Sequence, residues 1–325
     1  MRFKLFTLLI FLFSAVNLLA QTHSTEIGGQ TDDDSYLFQG FDRYYTDGTY
    51  FYYRHALTVK NDNSTSLRNK VLDFEIGQEL FTPQSGSIVN NNGVDQPSLI
   101  DRPFAAYLYV GSTLNFLYKD ESNLKLSAQI GVVGPDALGK QAVDFIHDNF
   151  GFYHPSGWEY QVDNNFELNL AAQYNRLLIR PASWVDLSAQ SYVDLGNGFT
   201  GAGAGALFRI GNFNQLFNSV STQSTTIKSN DVKPFHKHEF FFYYKPLINY
   251  VAYDATIQGS LFGRNPNSDE ITLDKVPFVF SQEFGVAITT NRFVIIVSTV
   301  QDTKNVRQMV DPDSWASISL FYRFK

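Results

Sequence analysis

Three groups of residues in this 325-residue chain have types and spacings that could carry chemistry. The first closes the stretch "GVVGPDALGKQAVDFIH", residues 131–147. Leu138, Ala142, Phe145 and Ile146 recur at helical spacing, Asp136 is placed to cap the start, and Gly151 is placed to end the turn. Lys140, Asp144 and His147 then fall on the polar side of that helix. An imidazole displayed there could take and return a proton near neutral pH. The plainer alternative is a buried histidine with its hydrogen bonds satisfied.

The second group lies in "TDDDSYLFQGFDRYYTDG". Asp32, Asp33 and Asp34 precede Thr46 by a segment that can fold back, so that carboxylate and hydroxyl oxygens converge. Oxygen clusters of this kind suit calcium, a hard cation that tolerates irregular coordination. An acidic surface turn explains the composition equally well. The third group, "GNGFTG" at Gly196 to Gly201, matches a dinucleotide-site pattern in letters only. Alternating "AGAGALFRI" follows it where a helix is needed, so a hairpin turn at Asn197-Gly198 accounts for it. His236 and His238 alternate at a strand start as two metal ligands could, but polar rim surface is the simpler reading. The chain has no G-x-S-x-G elbow, no H-E-x-x-H and no Walker lysine.

The elements that must position these residues are strands. In "VLDFEIGQEL", Leu72, Phe74, Ile76 and Leu80 alternate with Asp73, Glu75, Gly77 and Glu79, which predicts a strand with its carboxylates toward water. The same dyad recurs in "LKLSAQIGV", "WVDLSAQSYV", "FSQEFGVAITT" and the closing "WASISLFYRFK", giving roughly eleven or twelve strands. The Ser-, Asn- and Thr-rich stretches at about 83–100 and 211–234 read as solvated loops at one mouth.

The first twenty residues carry Arg2 and Lys4, then an apolar run ending at Ala20, as a secretory signal peptide does. The remainder, 21–325, is expected to form one domain. With no cysteine, disulfides and thiolate metal sites are excluded for this exported chain. Eighteen Tyr and 30 Phe are a heavy aromatic load at a mean hydropathy of only -0.18, which suits strands apolar on one face. A soluble β-sandwich also alternates. Strand length, aromatic clusters at Tyr50 to Tyr53 and Phe240 to Tyr244, export and the aromatic last strand favour an all-β transmembrane antiparallel barrel of about twelve strands with one short helix. A net charge of -7 without a long basic run excludes nucleic acid as a partner.

Several pieces together resemble one family, the outer-membrane lipid A 3'-O-deacylases grouped as LpxR-like barrels. They are "DDDS" with "DRYYTDG", "GQELFTP", "DRPFAAYLYVG", "GVVGPDALGKQ" with His147, and "GWEYQ", in order between about residues 25 and 170. The resemblance implies an outer-membrane esterase that removes the acyloxyacyl chain at the 3' position of lipid A in lipopolysaccharide, with calcium as cofactor; a monomer is expected. It implies His147 as the base, Asp33, Asp34 and Thr46 as catalytic and calcium-binding residues, and Lys140 and Arg102 as contacts to substrate. Two positions depart from the family pattern. Asp33 stands where the family has asparagine, and Tyr153 where it places an acidic residue six positions after the histidine.

Overall fold

The computed structural model describes residues 23–38, 42–59, 66–84, 88–89, 94–151, 153, 155–228, 233–263 and 265–324. The signal segment 1–20 and His154 lie outside them. The described residues form a closed ring of twelve antiparallel strands, each paired with its sequence neighbour and β1 with β12. The strands are β1 (Thr25–Asp33), β2 (Tyr44–Ala56), β3 (Leu67–Thr82), β4 (Ala105–Tyr118), β5 (Ser122–Val133), β6 (Asn165–Ala182), β7 (Val185–Gly196), β8 (Phe199–Asn212), β9 (Phe240–Asp254), β10 (Phe278–Thr289), β11 (Phe293–Asp302) and β12 (Asp313–Phe324). Two helices interrupt them, α1 (Gly139–Phe150) and the single turn α2 (Ala255–Gln258). Closure removes every sheet edge, which is what a membrane demands of strands, because lipid offers no partner to an unpaired N–H or C=O.

The dyad sorts side chains between two media. In β3, Phe74 and Ile76 point outward and are half exposed, while the carboxylates between them turn into the lumen. The expectation that those carboxylates face open water is corrected here. Asp73 takes a 2.7 Å bond from Arg54, Glu75 accepts from Gln129 at 3.0 Å and Glu79 accepts from the Tyr50 hydroxyl at 3.0 Å. Arg54 also reaches Glu26 at 2.9 Å and lies 4.3 Å from the centre of the Phe321 ring. A polar lumen needs such pairing, since a buried charge without a partner costs several kcal/mol.

The stretch 213–228 departs most from its sequence reading. It does not form a solvated loop. Phe213, Leu216 and Thr226 are fully buried, and the segment fills the lumen at the end where the chain termini lie. Its backbone is held by buried carboxylates and amides of the wall. Glu239 accepts the amides of Asn214 and Val220, Glu121 accepts that of Leu216, and Asn115 and Asn69 donate to the carbonyls of Thr222 and Thr226. Arg209, bonded to Asp186 at 2.6 Å, adds bonds to the hydroxyls of Ser219 and Ser221. The Ser and Thr residues that read as solvated are instead the donors and acceptors that a polar lumen requires.

Connections at the opposite end are mostly longer, the asymmetry of outer-membrane barrels whose long loops face the cell exterior. The candidate site lies at that end. A closed barrel resists SDS until heated, so the protein is expected to migrate differently on a gel before and after boiling. A single unheated and heated position, with recovery as a detergent-free soluble monomer, would contradict the barrel.

Candidate functional site

Helix α1 is mounted on the outer wall of the barrel. The turn Pro135–Ala137 and the helix pack on Leu80, Phe104, Ala106 and Trp158 through Ala137 and Val143. Gly139 is the close-contact point, because a Cβ there would lie 2.4 Å from the Ala106 Cβ and 2.9 Å from the Trp158 ring. Gln78 of β3 ties the preceding turn to the wall by a 2.6 Å bond to the Ala137 carbonyl. The helix ends at Gly151, whose left-handed φ of 73° lets its N–H close on the His147 carbonyl.

Two expectations about this helix are corrected. Asp136 does not cap it, since the N-cap position is Leu138 in a left-handed conformation without a side-chain cap. The exposed apolar residues are Leu138 and Phe145, while the buried face is Gly139, Val143 and His147. Positions 139, 143 and 147 recur four apart, so His147 lies on the packed side and is only 4% exposed. Lys140 is exposed, in a 2.5 Å surface pair with Asp144.

His147 has defined partners on both ring nitrogens. Nδ1 bonds the backbone carbonyl of Tyr153, which only accepts, so Nδ1 carries the hydrogen. Nε2 lies 2.9 Å from Asp42 Oδ2, and the Tyr153 hydroxyl donates to that same oxygen at 3.1 Å. The Tyr153 ring stands edge-on to the imidazole with centroids 5.2 Å apart. Burial, then the Asp42 carboxylate, raises the Tyr153 phenol far above its ordinary range, so it stays a donor.

Asp42 is held in turn by its neighbours along the chain, Arg43 to Thr46. Arg43 donates its N–H to Asp34 Oδ2 at 2.5 Å and its guanidinium to Asp311 at 3.1 Å. Tyr44 takes a left-handed φ of 63°, uncommon for a bulky residue, and its buried hydroxyl anchors the turn by donating to Asp101 at 2.8 Å and accepting the amides of Val310 and Asp311. A register shift between Tyr45 and Asp47 then re-aims Thr46. Its hydroxyl shares a 2.7 Å bond with Thr82 and its carbonyl receives the Asp34 amide at 3.4 Å.

Asp33 ends β1 on the outward side and accepts the Ser35 amide at 2.6 Å. Asp34 follows it, nearly fully buried, with Oδ1 lacking any hydrogen-bond partner among the described residues. Burial first, and then the neighbouring Asp42, Asp33 and Asp313 carboxylates, push the Asp34 carboxyl up to about 9 against the pull of the Arg43 N–H. A cation would relieve both the orphaned oxygen and the crowding. Among the described residues no group of three or more His, Cys, Asp or Glu is arranged to hold a metal ion. A calcium set would therefore have to combine Asp34 and Asp33 with neutral oxygens, as calcium allows. The unpartnered Asp34 oxygen is the feature of these residues that suits a hard cation.

Asp33, Asp34 and His147 thus lie around Asp42, while Thr46 joins them only through its backbone carbonyl, its hydroxyl being held by Thr82. Arg102 is not among them. It lies inside the barrel's outer end, 1% exposed, donating to Thr256 at 3.1 Å with its guanidinium 3.9 Å from the Phe81 ring centre. The residue missed in the sequence is Asp42, which sits within "FDRYYTDG" but gives no local sign that it meets a histidine 105 positions away.

The family model described as outer membrane protein LpxR matches residues 5–324. The chain belongs to the LpxR family. LpxR from Salmonella typhimurium has the same fold, with a TM-score of 0.72 at 22% identity over 92% of this chain and all of that one. The KdgM porin and the translocator domain of the autotransporter NalP from Neisseria meningitidis align over most of their length, at TM-scores of only 0.37 and 0.45. No curated protein sequence matches the chain. This member of the LpxR family is an outer-membrane barrel, and the outward faces of its strands meet lipid.

Proposed function

We propose that this LpxR-family barrel is an esterase that removes the 3'-linked acyloxyacyl chain of lipid A, with His147 as general base. The observation that carries the reading is the placement of the imidazole on the outer wall. Its Nδ1 is fixed on the Tyr153 carbonyl and its Nε2 faces a carboxylate cluster at the membrane-facing rim. With Nδ1–H held on that carbonyl, Nε2 is the ring nitrogen that exchanges a proton.

In the resting arrangement Asp42 occupies the Nε2 side. The 2.9 Å contact requires a proton between the two atoms, so Nε2 acts as a base once that proton has left and a water has taken the place of the Asp42 oxygen. The water gives a proton to Nε2 as it attacks the ester carbonyl, and as the C–O bond to the sugar breaks the imidazolium passes that proton to the departing sugar oxygen. Asp42, braced by the Tyr153 hydroxyl, then balances the imidazolium charge. Calcium held by Asp34 and Asp33 would polarise that carbonyl and offset the developing oxyanion, so the reaction needs no serine nucleophile. For Thr46 to join, its hydroxyl must leave Thr82. Lys140, at the exposed surface of α1 and paired with Asp144, is assigned in this reading to the polar headgroup. The rival reading is a non-catalytic outer-membrane barrel, either a pore or a degenerate relative with a binding role, and the segment 213–228 lodged in the lumen stands against the pore.

Release of the 3' chain from purified lipid A in mixed micelles tests the proposal. Asp42→Asn keeps an acceptor but removes the charge beside Nε2. A hydrogen bond to a charged group contributes about 1.5–3 kcal/mol, so kcat is expected to fall roughly ten- to a hundredfold. Tyr153→Phe keeps the Asp42 contact and should cost only a few-fold. Asp42→Asn at the wild-type rate would show that the carboxylate has no part in the reaction.

A further inference from the structure

The register of the barrel draws a line from Asp33 into the membrane. Asp33 pairs with Ala316, Ala316 with Thr299, Thr299 with Phe284, Phe284 with Tyr244, and Tyr244 with Phe208. Directly paired residues share a sheet face, and Asp33 is on the outside, so the whole row faces lipid. The row spans five strand spacings of about 4.8 Å, or about 24 Å.

It does not stay level. Asp33 is the last residue of β1, and Ala316 and Thr299 lie three positions from the outer ends of β12 and β11. Phe284 is near the middle of β10, and Tyr244 and Phe208 lie four positions from the inner ends of β9 and β8. A row perpendicular to strands that tilt by about 35–45° has to descend in this way. It starts at the rim that carries the carboxylates and runs down into the leaflet.

The row also has relief. The rings of Phe208, Tyr244 and Phe284 stack, with centroids 6.2 and 4.5 Å apart and planes inclined by 23° and 21°. One step toward the inner end, Val297, Val286, Phe242 and Ile210 form a parallel apolar row. Between the two lies a groove of about 730 Å³ on the barrel surface. Its outer end is bounded by Ala316 and by Leu37, three residues after Asp34 in the turn Ser35–Leu37.

We propose that this groove is the track for the acyl chain whose ester bond is presented to His147. An ester held at the rim has its carboxyl end among polar groups and its hydrocarbon directed inward, and the groove offers a continuous apolar course from that point. Flat ring faces along one wall favour an extended chain, and the small side chain of Ala316 leaves the mouth open. The inference rests on the deacylase reading, because it assigns the occupant of the groove as the chain being cleaved.

The test separates the two. Full-length His147→Ala protein in micelles is given lipid A whose 3' chain carries a diazirine near its terminal methyl, and after irradiation the labelled peptides are mapped. Label concentrated on β8, β9 and β10 at Phe208, Tyr244 and Phe284 is expected. Label spread evenly around the barrel overturns the track, whatever the activity of the wild type. Label on the row with a wild type that never cleaves lipid A overturns the deacylase reading and keeps the track. In kinetics, Thr299→Trp fills the groove near its mouth. It should lower kcat/KM at least tenfold for lipid A with a long 3' chain and leave a chain too short to reach Thr299 unaffected. Equal effects on both chains would contradict the proposal.

Discussion

Replacement of His147 by alanine is expected to lower deacylation by about a hundred- to ten-thousandfold, the usual contribution of a positioned general base. The barrel should survive the change. His147 packs with Val143 on the inner side of α1, but the helix is anchored independently by Ala137, Gly139 and Val143 on Leu80, Ala106 and Trp158. Unheated migration on a gel should therefore match the wild type while fatty-acid release is lost. His147→Gln keeps a hydrogen-bonding side chain but cannot hold the transferred proton, so it should be as inactive as the alanine variant. Wild-type activity in either variant would make His147 a structural residue.

The second large effect concerns Asp34. Its Oδ1 has no hydrogen-bond partner among the described residues, and its carboxyl is pushed up to about 9 by burial and by Asp42, Asp33 and Asp313. Both features call for a cation, and calcium affinity follows ligand charge. Asp34→Asn removes the anchoring charge, so calcium-dependent activity should disappear and calcium affinity should fall at least about tenfold, or about 1.4 kcal/mol. Asp33→Asn, at a carboxylate already held by the Ser35 amide, should weaken binding less. Tyr153→Glu places a carboxylate beside Asp42 where the phenol now points, and should tighten calcium binding. Isothermal titration of calcium into the detergent-solubilised variants reads each effect without reference to turnover. Full activity of the wild type in chelator, with no change in calcium affinity among the three variants, would remove the metal from the mechanism.

Much of the barrel is legible in the sequence because a transmembrane strand writes its two environments into alternate letters. Phe74 and Ile76 face lipid while Asp73 and Glu75 face the lumen, and the chain order of the strands is also their spatial order. The lumen segment is not legible. Ser219, Ser221, Thr222 and Ser224 are the residues a solvated loop would use, and only the folded chain shows that the Ser219 and Ser221 hydroxyls meet Arg209 and that of Ser219 also Glu239, while those of Thr222 and Ser224 donate to the segment's own carbonyls.

The site divides in a similar way. Asp33, Asp34, Thr46 and His147 emerge as a set through the family resemblance, and the structure brings Asp33, Asp34 and His147 around Asp42 while the Thr46 hydroxyl is held by Thr82. The face of α1 is misleading in sequence because helical spacing does not say which medium an apolar residue meets. Phe145 is 69% exposed and Leu138 49% exposed at a rim where lipid headgroups begin, while the polar His147 packs inward because Asp42 and the Tyr153 carbonyl satisfy it. Arg102 lies within a family-like stretch, yet its guanidinium braces Thr256 and Phe81 inside the barrel, and no pattern of neighbouring residues foretells that direction. Asp42 stays hidden because its role depends on a contact across loops that are remote in sequence.

Everything proposed for the site requires that this outer-membrane barrel hydrolyse lipid A at one position. Mass spectrometry of lipid A from isogenic cells with the gene, without it and with the His147→Ala variant decides whether it does. The wild-type gene is expected to shift lipid A to a species lighter by the 3'-linked acyloxyacyl chain, and cells without the gene and cells with the variant should keep the heavier species. Identical lipid A in all three, with the barrel present and folded in the outer membrane, would contradict the deacylase reading.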